Sequence, residues 1–356
     1  MRRKLPALRA WSSTALIVTL VWNAEAVAAS ASESAEFLAV SCGDAVVPAD
    51  CFSGPCRLCP CAYVWAEALI LERDNQADDR PMVFDLNTDE ELLDTGDLDF
   101  DWTGGVRIGY GIRTCGCWAW EFGYLGVYDH SASADVELED GLMLPDDLGL
   151  QVNNFFAADE VDIQYESDLH STEANLVRCC CSYCDCCGRG RSVEWLFGFR
   201  YLNLNEELDI TAFDSEESTT EYGVETENRL YGAQIGTRLR HCKRRWSWEA
   251  TGKAGIFGND MKQSQDPIID FPDFEFRSQQ SSSESDVAFV GDLNLTAIYQ
   301  LNRVWGLRTG YNLIWIEGLA LAPDQLDFTN TGDDAELQDG GGVFLHGVNI
   351  GLEGRW

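Results

Sequence analysis

The stretch "WTGGVRIGYGIR", residues 102–113, alternates between two kinds of side chain at successive positions. One parity is apolar or aromatic, and the other is glycine or arginine. The first set is Trp102, Val106, Ile108, Tyr110 and Ile112, and the second is Gly105, Arg107, Gly109, Gly111 and Arg113. A period of two is typical of a β-strand whose two faces meet different surroundings.

The same pattern recurs along the chain and predicts ten strands. It is clear in 118–124, 193–201, 246–257, 287–299, 305–315 and 344–356, and weaker in 62–72, 161–177 and 228–239. A soluble β-sandwich would also alternate. However, the apolar faces here begin and end in aromatic residues, as in the interfacial girdles of a membrane barrel, and the opposite faces carry charges between glycines. Strands of about 9–11 residues match a tilted membrane span, where an open sheet edge is too costly.

The predicted connections alternate between long and short, which is an independent indication of a barrel. The long ones are 73–100, 129–160, 207–226, 258–285 and 318–341, and the short ones are 114–116, 178–191, 240–245 and 301–304. Transmembrane barrels have short periplasmic turns and long external loops. We therefore predict an all-β, antiparallel up-and-down barrel of about ten strands. Twelve is the alternative if 161–177 or a long loop hides a hairpin.

Charge is distributed unevenly between these connections. The chain has 60 acidic and 25 basic residues, for a net charge of −35, which disfavours nucleic acid as a partner. More than half of the acidic residues lie in the five long connections, so we expect a strongly acidic external face. The clusters "DTGDLDFD" (94–101) and "NTGDDAELQD" (330–339) have carboxylates that calcium could use, although neither is a full EF-hand loop. We interpret them mainly as a solvated surface, with cation bridging to cell-surface polymers as the alternative.

The beginning of the chain indicates export. Arg2, Arg3 and Lys4 precede an apolar run from residue 10 to 22, and Ala26 and Ala28 fit a small-x-small cleavage site. We predict a signal peptide over 1–28, a cysteine-rich periplasmic segment over 29–61 and a barrel over 62–356. The expected location is the outer membrane, with its lipid as a partner.

All fourteen cysteines fall in that segment or in predicted periplasmic turns. The stretch "VRCCCSYCDCCGRG" (177–190) contains CxxC spacings that zinc could use, but export favours disulfides. We predict a disulfide patch that joins the tail across the periplasmic mouth, and no metal site. The candidates are Cys42, Cys51, Cys56, Cys59, Cys61, Cys115, Cys117, Cys179, Cys180, Cys181, Cys184, Cys186, Cys187 and Cys242.

The inward parity supplies candidates for the lining of the barrel. They are Arg107, Glu121, Glu194, Arg200, Glu249, Lys253, Asp292 and Arg308. Rings of charge can set ion selectivity, and ion pairs that neutralise each other are the structural alternative. None of the four histidines accompanies a nucleophile motif, so we predict neither catalysis nor a catalytic cofactor.

Several blocks resemble a known family. "SVEWLFGFRYLNLNEEL" (192–208), "ENRLYGAQIGTRL" (227–239) and "GYNLIWIEGLALAPDQL" (310–326) are similar to the β-barrel porins typical of planctomycetes, and the resemblance covers about 63–356. It implies an outer-membrane barrel without an established substrate, and it supplies no catalytic or ligand residues. The terminal Trp356 resembles the assembly signal of such barrels. The cysteine-rich tail and the 179–187 cluster depart from the usual family pattern.

Three functions remain open at this point. They are a narrow porin-like channel, a structural or adhesive surface barrel, and an uptake or binding protein that uses its acidic external loops. Eight strands enclose a space that side chains fill, whereas open pores have about 16–18 strands. Ten strands with inward charges therefore favour a plugged barrel or a narrow conduit for small ions.

Overall fold

The computed structural model describes residues 62–75, 80–114, 118–182, 189–214, 219–270, 274–329 and 337–356. These residues form strands, one short α-helix and three single-turn 3-10 helices. The elements are β1 (Ala62–Asn75), β2 (Pro81–Asp85), β3 (Glu91–Asp94), β4 (Thr103–Arg113), β5 (Trp118–Met143), α1 (Asp146–Gln151), β6 (Phe156–Ser182), β7 (Arg189–Phe213), β8 (Thr219–Lys243), β9 (Trp246–Gln265), β10 (Ile268–Asp270), β11 (Phe274–Arg277), β12 (Gln280–Gln300), β13 (Trp305–Leu319) and β14 (Gly341–Arg355). Among the described residues, no helix is long and apolar enough to cross a membrane.

Ten of these strands close into an antiparallel barrel. Its order is β1-β4-β5-β6-β7-β8-β9-β12-β13-β14, and β14 pairs with β1 to complete the ring. The hairpin of β2 and β3 extends the sheet at β5, and β10 pairs with β11 in a separate hairpin. The predicted ten-stranded barrel is confirmed, and 161–177, the weakest of the predicted strands, lies within β6.

The barrel has two distinct ends, which we call the turn end and the loop end. Short connections such as 244–245 and 301–304 lie at the turn end, which is the periplasmic end in barrels of this class. Backbone hydrogen bonds close the ring there. The Ala62 N–H donates to the Trp356 carbonyl at 3.0 Å, and the Trp356 N–H donates to the Ala62 carbonyl at 3.1 Å.

Most barrel strands are longer than the predicted 9–11 residues, although β4 has 11. β5 has 26 residues and β6 has 27. At about 3.3 Å per residue and a tilt of about 40°, 27 residues rise about 65–70 Å along the barrel axis, whereas the lipid-facing apolar band is about 25 Å tall. Much of the predicted loops 129–160, 207–226 and 258–285 is therefore strand.

The apolar side chains of these long strands face outward in one half of the barrel and inward in the other half. In the half near the turn end, residues such as Phe199 and Ile256 face outward and are exposed. Toward the loop end, Ile163 and Leu208 face inward and are fully buried, while Glu207 faces outward. A barrel wall surrounded by lipid needs an apolar outer face, whereas a wall surrounded by water keeps its apolar side chains on the inner face. We call the loop-end parts of β5–β9, residues 130–143, 156–168, 205–213, 219–227 and 261–265, the external extension.

A β-bulge on β5 lies where the two halves of the strand meet. Pairing with β6 shifts register between Val127 and His130, and Asp129 adopts a positive φ of 53°. The Asp129 N–H donates to Asp168 Oδ1 at 2.8 Å. The extra residue allows both Val127 and His130 to be buried inside the barrel, so the apolar interior continues past the bulge.

Candidate functional site: the barrel interior

Charged side chains fill the interior of the turn-end half, and we call them the charged network. Together with aromatic and polar neighbours they line a space of only about 70 Å³, which is room for a few water molecules. Seven carboxylates and seven cationic side chains contribute. They are Glu67, Glu121, Glu173, Glu194, Glu249, Asp292 and Glu353, with Arg107, Arg113, Arg238, Arg240, Lys253, Arg308 and Arg355.

Two arginines connect most of the carboxylates nearest the turn end. Arg308 contacts Glu67 at 2.6 Å through Nε, Glu353 at 3.0 Å through Nη1 and Glu249 at 3.3 Å through Nη2. Arg238 makes a two-pronged contact with Glu121, in which both N–O distances are 2.8 Å. These buried charges therefore neutralise one another across the barrel rather than facing a water-filled passage.

A second group of charges lies next to the first. Lys253 Nζ is 2.9 Å from both carboxylate oxygens of Glu173 and 3.3 Å from Asp292. Arg200 Nη1 lies 3.6 Å from the same Asp292 carboxylate, and its Nε donates to Ser171 at 2.7 Å. Ion pairs thus connect β6, β7, β9 and β12.

The structure places all eight candidate lining residues in this interior. Arg107 donates to Asn312 at 2.6 Å, Glu194 accepts from Arg238 at 3.3 Å, and the other six make the contacts above. Seven members of the charged network were not among the candidates. They are Glu67, Arg113, Glu173, Arg238, Arg240, Glu353 and Arg355. Parity was the available signal. Glu353 and Arg355 have the opposite parity to the apolar Leu352, and Arg113 shares the parity of Arg107, whereas the other four lie in or next to weakly alternating strands.

An apolar layer lies on the loop side of the charged network. Its members are buried, and nearly every strand of the barrel contributes. They are Leu69, Leu71, Leu125, Val127, Leu169, Leu202, Leu204, Leu230, Phe257, Ala288, Val290, Ile314, Ile316, Val343 and Leu345. Packed aliphatic side chains exclude water and ions, so the polar space does not continue through the barrel.

The β13–β14 connection folds into the barrel above this layer, and we call residues 318–329 the strap. The sequence analysis placed 318–341 in an external loop, which is wrong for this segment because Leu319, Ala320 and Leu321 are fully buried. Gly318 starts the inward path with a φ of +83°, which favours glycine. The strap folds inward because its apolar side chains would otherwise be exposed to water at the loop end.

Asparagines of the barrel wall bind the backbone where the strap begins. Asn228 donates to the Ala320 carbonyl at 2.8 Å and accepts from the Ala320 N–H at 2.9 Å. Asn259 donates to the Gly318 carbonyl at 2.9 Å and to Asn228 Oδ1 at 3.0 Å. These bonds satisfy backbone groups that could not otherwise be buried.

A buried cluster on the wall holds the middle of the strap. The Glu206 carboxylate accepts from the Ala322 N–H at 3.0 Å and from the Tyr165 hydroxyl at 2.8 Å, and it lies 2.6 Å from Arg73 Nη2. The same arginine donates to Tyr165 at 2.9 Å and stacks over Phe100 at 4.5 Å from the ring centre. Arg73 was predicted to lie in an external loop, but it belongs to β1 and is buried.

The far end of the strap is bound by the external extension and by β11. Tyr222 hydrogen-bonds to the Asp327 backbone through both its carbonyl and its N–H, at 3.2 and 3.0 Å. Arg277 donates to the same carbonyl at 2.7 Å. Leu326 and Phe328 join the apolar core of the extension, which includes Phe155. The strap is thus part of the folded interior along its whole length.

His130 makes the stability of this region depend on pH. Burial, and then the positive charge of Arg73, lower the pKa of His130 to about 4, and its Nε2 lies 2.9 Å from the Asp101 carbonyl. The unfolded chain takes up this proton below about pH 6.5, but the folded protein does so only near pH 4.

We therefore expect the free energy of unfolding to decrease by about 2–3 kcal/mol as the pH falls from 7.5 to 4.5, relative to a His130→Asn variant. Urea titrations of both proteins at both pH values would measure this difference. Because the other titrating groups are common to both proteins, a difference that does not change with pH would contradict the expectation.

The cation and cysteine predictions are only partly within the described residues. Asp94 accepts the Gly96 and Asp97 N–H groups at 2.8 and 3.1 Å, so it caps a local turn. The described residues contain no group of three or more metal-binding side chains, and 330–336 lies outside them. Cys179, Cys181 and Cys242 are in strands, and Cys180 lies between the first two. The other cysteines lie outside the described residues, and the disulfide patch stays a prediction.

The family follows from the same residues that build this barrel. The family described as "Putative beta barrel porin-7 (BBP7)" matches residues 65–266. This chain belongs to the BBP7 family. The match confirms the resemblance to β-barrel porins, and it covers β1 through β9 and the strand ends that carry most of the external extension.

The solved structure of an outer-membrane barrel supports the fold of this BBP7 chain. The outer membrane protease OmpT from Escherichia coli superposes with a TM-score of 0.51 at 9% identity, over 83% of this chain and 96% of OmpT. The Ralstonia pickettii toluene transporter TbuX gives a TM-score of 0.22 at 10% identity, over 84% and 90% of the two chains. The Pseudomonas putida toluene transporter TodX gives 0.25 at 9%, over 83% and 90%. No curated protein matches the BBP7 chain in sequence.

Proposed function

We propose that this protein is a closed, structural surface barrel of the outer membrane rather than a diffusion pore. The observation that carries the proposal is the apolar layer, which fills the cross-section between the charged network and the strap. An ion would have to shed its water to pass packed leucine and isoleucine side chains, and hydrophobic constrictions block conduction in this way.

The charged network supports the same function. A selectivity ring needs unpaired charge facing an ion path, but Arg308, Glu249 and their neighbours are already paired at 2.6–3.3 Å. Buried charges of both signs connect strands that are far apart in sequence. We therefore propose that the charged network holds the wall together and that the candidate lining residues have this structural role.

Planar-bilayer recording of the purified protein tests the proposal. We expect no discrete conductance steps, because the apolar layer blocks the passage at every salt concentration. Insertion can be checked independently, by the resistance of the strands to protease in the same membranes. Stable, voltage-independent steps from inserted protein would contradict the proposal and favour the narrow channel.

The external extension provides a second candidate function, the binding of a partner at the cell surface. Glu166, Glu207 and Glu225 lie directly opposite one another across β6, β7 and β8. Desolvation and neighbouring carboxylates raise the pKa of Glu207 and Asp209. Like charges in opposite positions destabilise a sheet. This cost favours a role for the acidic surface beyond folding, such as adhesion or uptake.

Catalysis is not part of the proposal. OmpT is an outer membrane protease, but a likeness at 9% identity concerns the fold alone. The buried His130 is hydrogen-bonded to a backbone carbonyl and packed edge-on against Phe100. Such a histidine is suited to packing rather than to proton transfer with a substrate.

A further inference from the structure

The lipid-facing wall has a groove near the turn end. It has a volume of about 700 Å³ and lies across β7, β8, β9, β12 and β13. Small outward residues, Ala250, Ala297 and Thr309, line it between larger ones such as Leu239 and Tyr311. Its exposed lining is almost entirely apolar, so the groove suits a hydrocarbon chain.

A basic rim borders the groove at the turn end. The β8–β9 turn exposes Lys243, Arg244 and Arg245, and the neighbouring β12–β13 turn exposes Arg303. Neither turn contains an acidic residue, although the chain has a net charge of −35. Glu249 is the nearest carboxylate in β9, and it faces inward and pairs with Arg240. The rim therefore presents uncompensated positive charge.

Aromatic side chains lie between the rim and the groove. Trp246 and Trp248 stack with 6.4 Å between ring centres, and Trp246 lies 4.9 Å from the Tyr299 ring. Arg245 Nη1 donates to the Tyr299 hydroxyl at 3.5 Å. Tryptophan and tyrosine concentrate at the level of lipid headgroups, which places the rim at headgroup height and the groove at acyl-chain height.

We propose that this groove and rim form a binding site for one anionic phospholipid of the periplasmic leaflet. Its phosphate lies against Lys243, Arg244 and Arg245, and one acyl chain occupies the groove along Ala250 and Ala297. Basic pockets at the membrane surface recognise anionic headgroups by the same combination of charges. The proposed contacts are with exposed turn residues and with outward-facing residues of the wall.

Two pairs of variants test the two halves of the site. Lys243→Gln with Arg245→Gln removes rim charges, and Arg229→Gln with Lys262→Gln removes the same charge from the outward face of the loop end. Ala297→Phe fills the groove, and Ala233→Phe adds the same ring on the outward face of β8, outside the groove. All four changes are on the surface, so the interior contacts that hold the barrel together stay intact.

The measurement is native mass spectrometry of protein reconstituted with phosphatidylglycerol or phosphatidylcholine and then released from detergent. We expect the wild type to retain one phosphatidylglycerol. The rim variant should lose on the order of tenfold in preference over phosphatidylcholine, and Ala297→Phe should lose retention of both lipids. Both controls should behave as the wild type. Equal retention of the two lipids by the wild type would overturn the proposal, as would full retention by the rim or groove variant.

Discussion

Replacing Glu206 by alanine is expected to lower the free energy of unfolding by about 3–5 kcal/mol. The substitution leaves the Arg73 guanidinium buried without its carboxylate partner at 2.6 Å. It also removes the acceptor for the Tyr165 hydroxyl and for the strap N–H of Ala322. An uncompensated buried charge and two lost acceptors each cost free energy, so the strap should detach along with the loss of stability.

The next residue along the chain provides the matched control. Glu207 has the same side chain on the same strand, but it faces outward, where partial desolvation and neighbouring carboxylates raise its pKa. Glu207→Ala should therefore be neutral or slightly stabilising. Urea unfolding of the folded barrel gives both values, and proteolysis within 318–329 reports on the strap. Equal effects of the two substitutions would show that the buried cluster does not hold the strap.

The second large effect is expected for Glu249→Ala in the charged network. Glu249 accepts from Arg240 Nε at 2.7 Å and contacts Arg308 at 3.3 Å and Arg238 at 4.0 Å. Without this carboxylate, three buried guanidinium groups repel one another across the interior. The expected loss is again about 3–5 kcal/mol, because breaking a buried pair leaves charge uncompensated.

Glu284→Ala is the corresponding control, since Glu284 is an exposed carboxylate on β12. We expect it to change the free energy of unfolding by less than about 0.5 kcal/mol. The same urea titrations compare the two variants. If Glu249→Ala were as mild as Glu284→Ala, the network would have to be hydrated and loosely paired. The assignment of a structural role would then fail.

The membrane half of the barrel could be predicted because its two surroundings impose opposite chemistry on alternate residues. Lipid selects aromatic and aliphatic side chains such as Phe199, and the crowded interior selects glycine or charge such as Arg200. Strand number, inward parity and the order of long and short connections all follow from that contrast.

The external extension could not be predicted in the same way, because the contrast between its inward and outward faces is reversed and weaker. Its apolar residues face inward and its acidic residues face water, so an acidic stretch such as 207–226 resembles a solvated loop. Ile210 and Val224 alternate there with acidic residues, and this period of two was the available signal. A search for lipid-facing aromatic residues does not detect it.

The strap could not be placed from sequence because its partners are distant. Asn228 and Ala320 are 92 positions apart, and Glu206 and Ala322 are 116 apart. The run 319–322 is apolar, which is typical of a buried segment, but no local pattern shows where such a segment is buried. The buried position of Arg73 could not be predicted either, because Arg73 and Glu206 come together only in the folded barrel.

The path of the strap also constrains the order in which the barrel can be assembled. Its binding groups lie on β7, β8 and β9, whereas the strap itself connects β13 to β14, which seals against β1. The strap has no binding site until the middle strands are paired, and a sealed ring with a narrow mouth would hinder its entry. Insertion of the last hairpin should therefore coincide with docking of the strap, so that ring closure and filling of the mouth form one late, cooperative step.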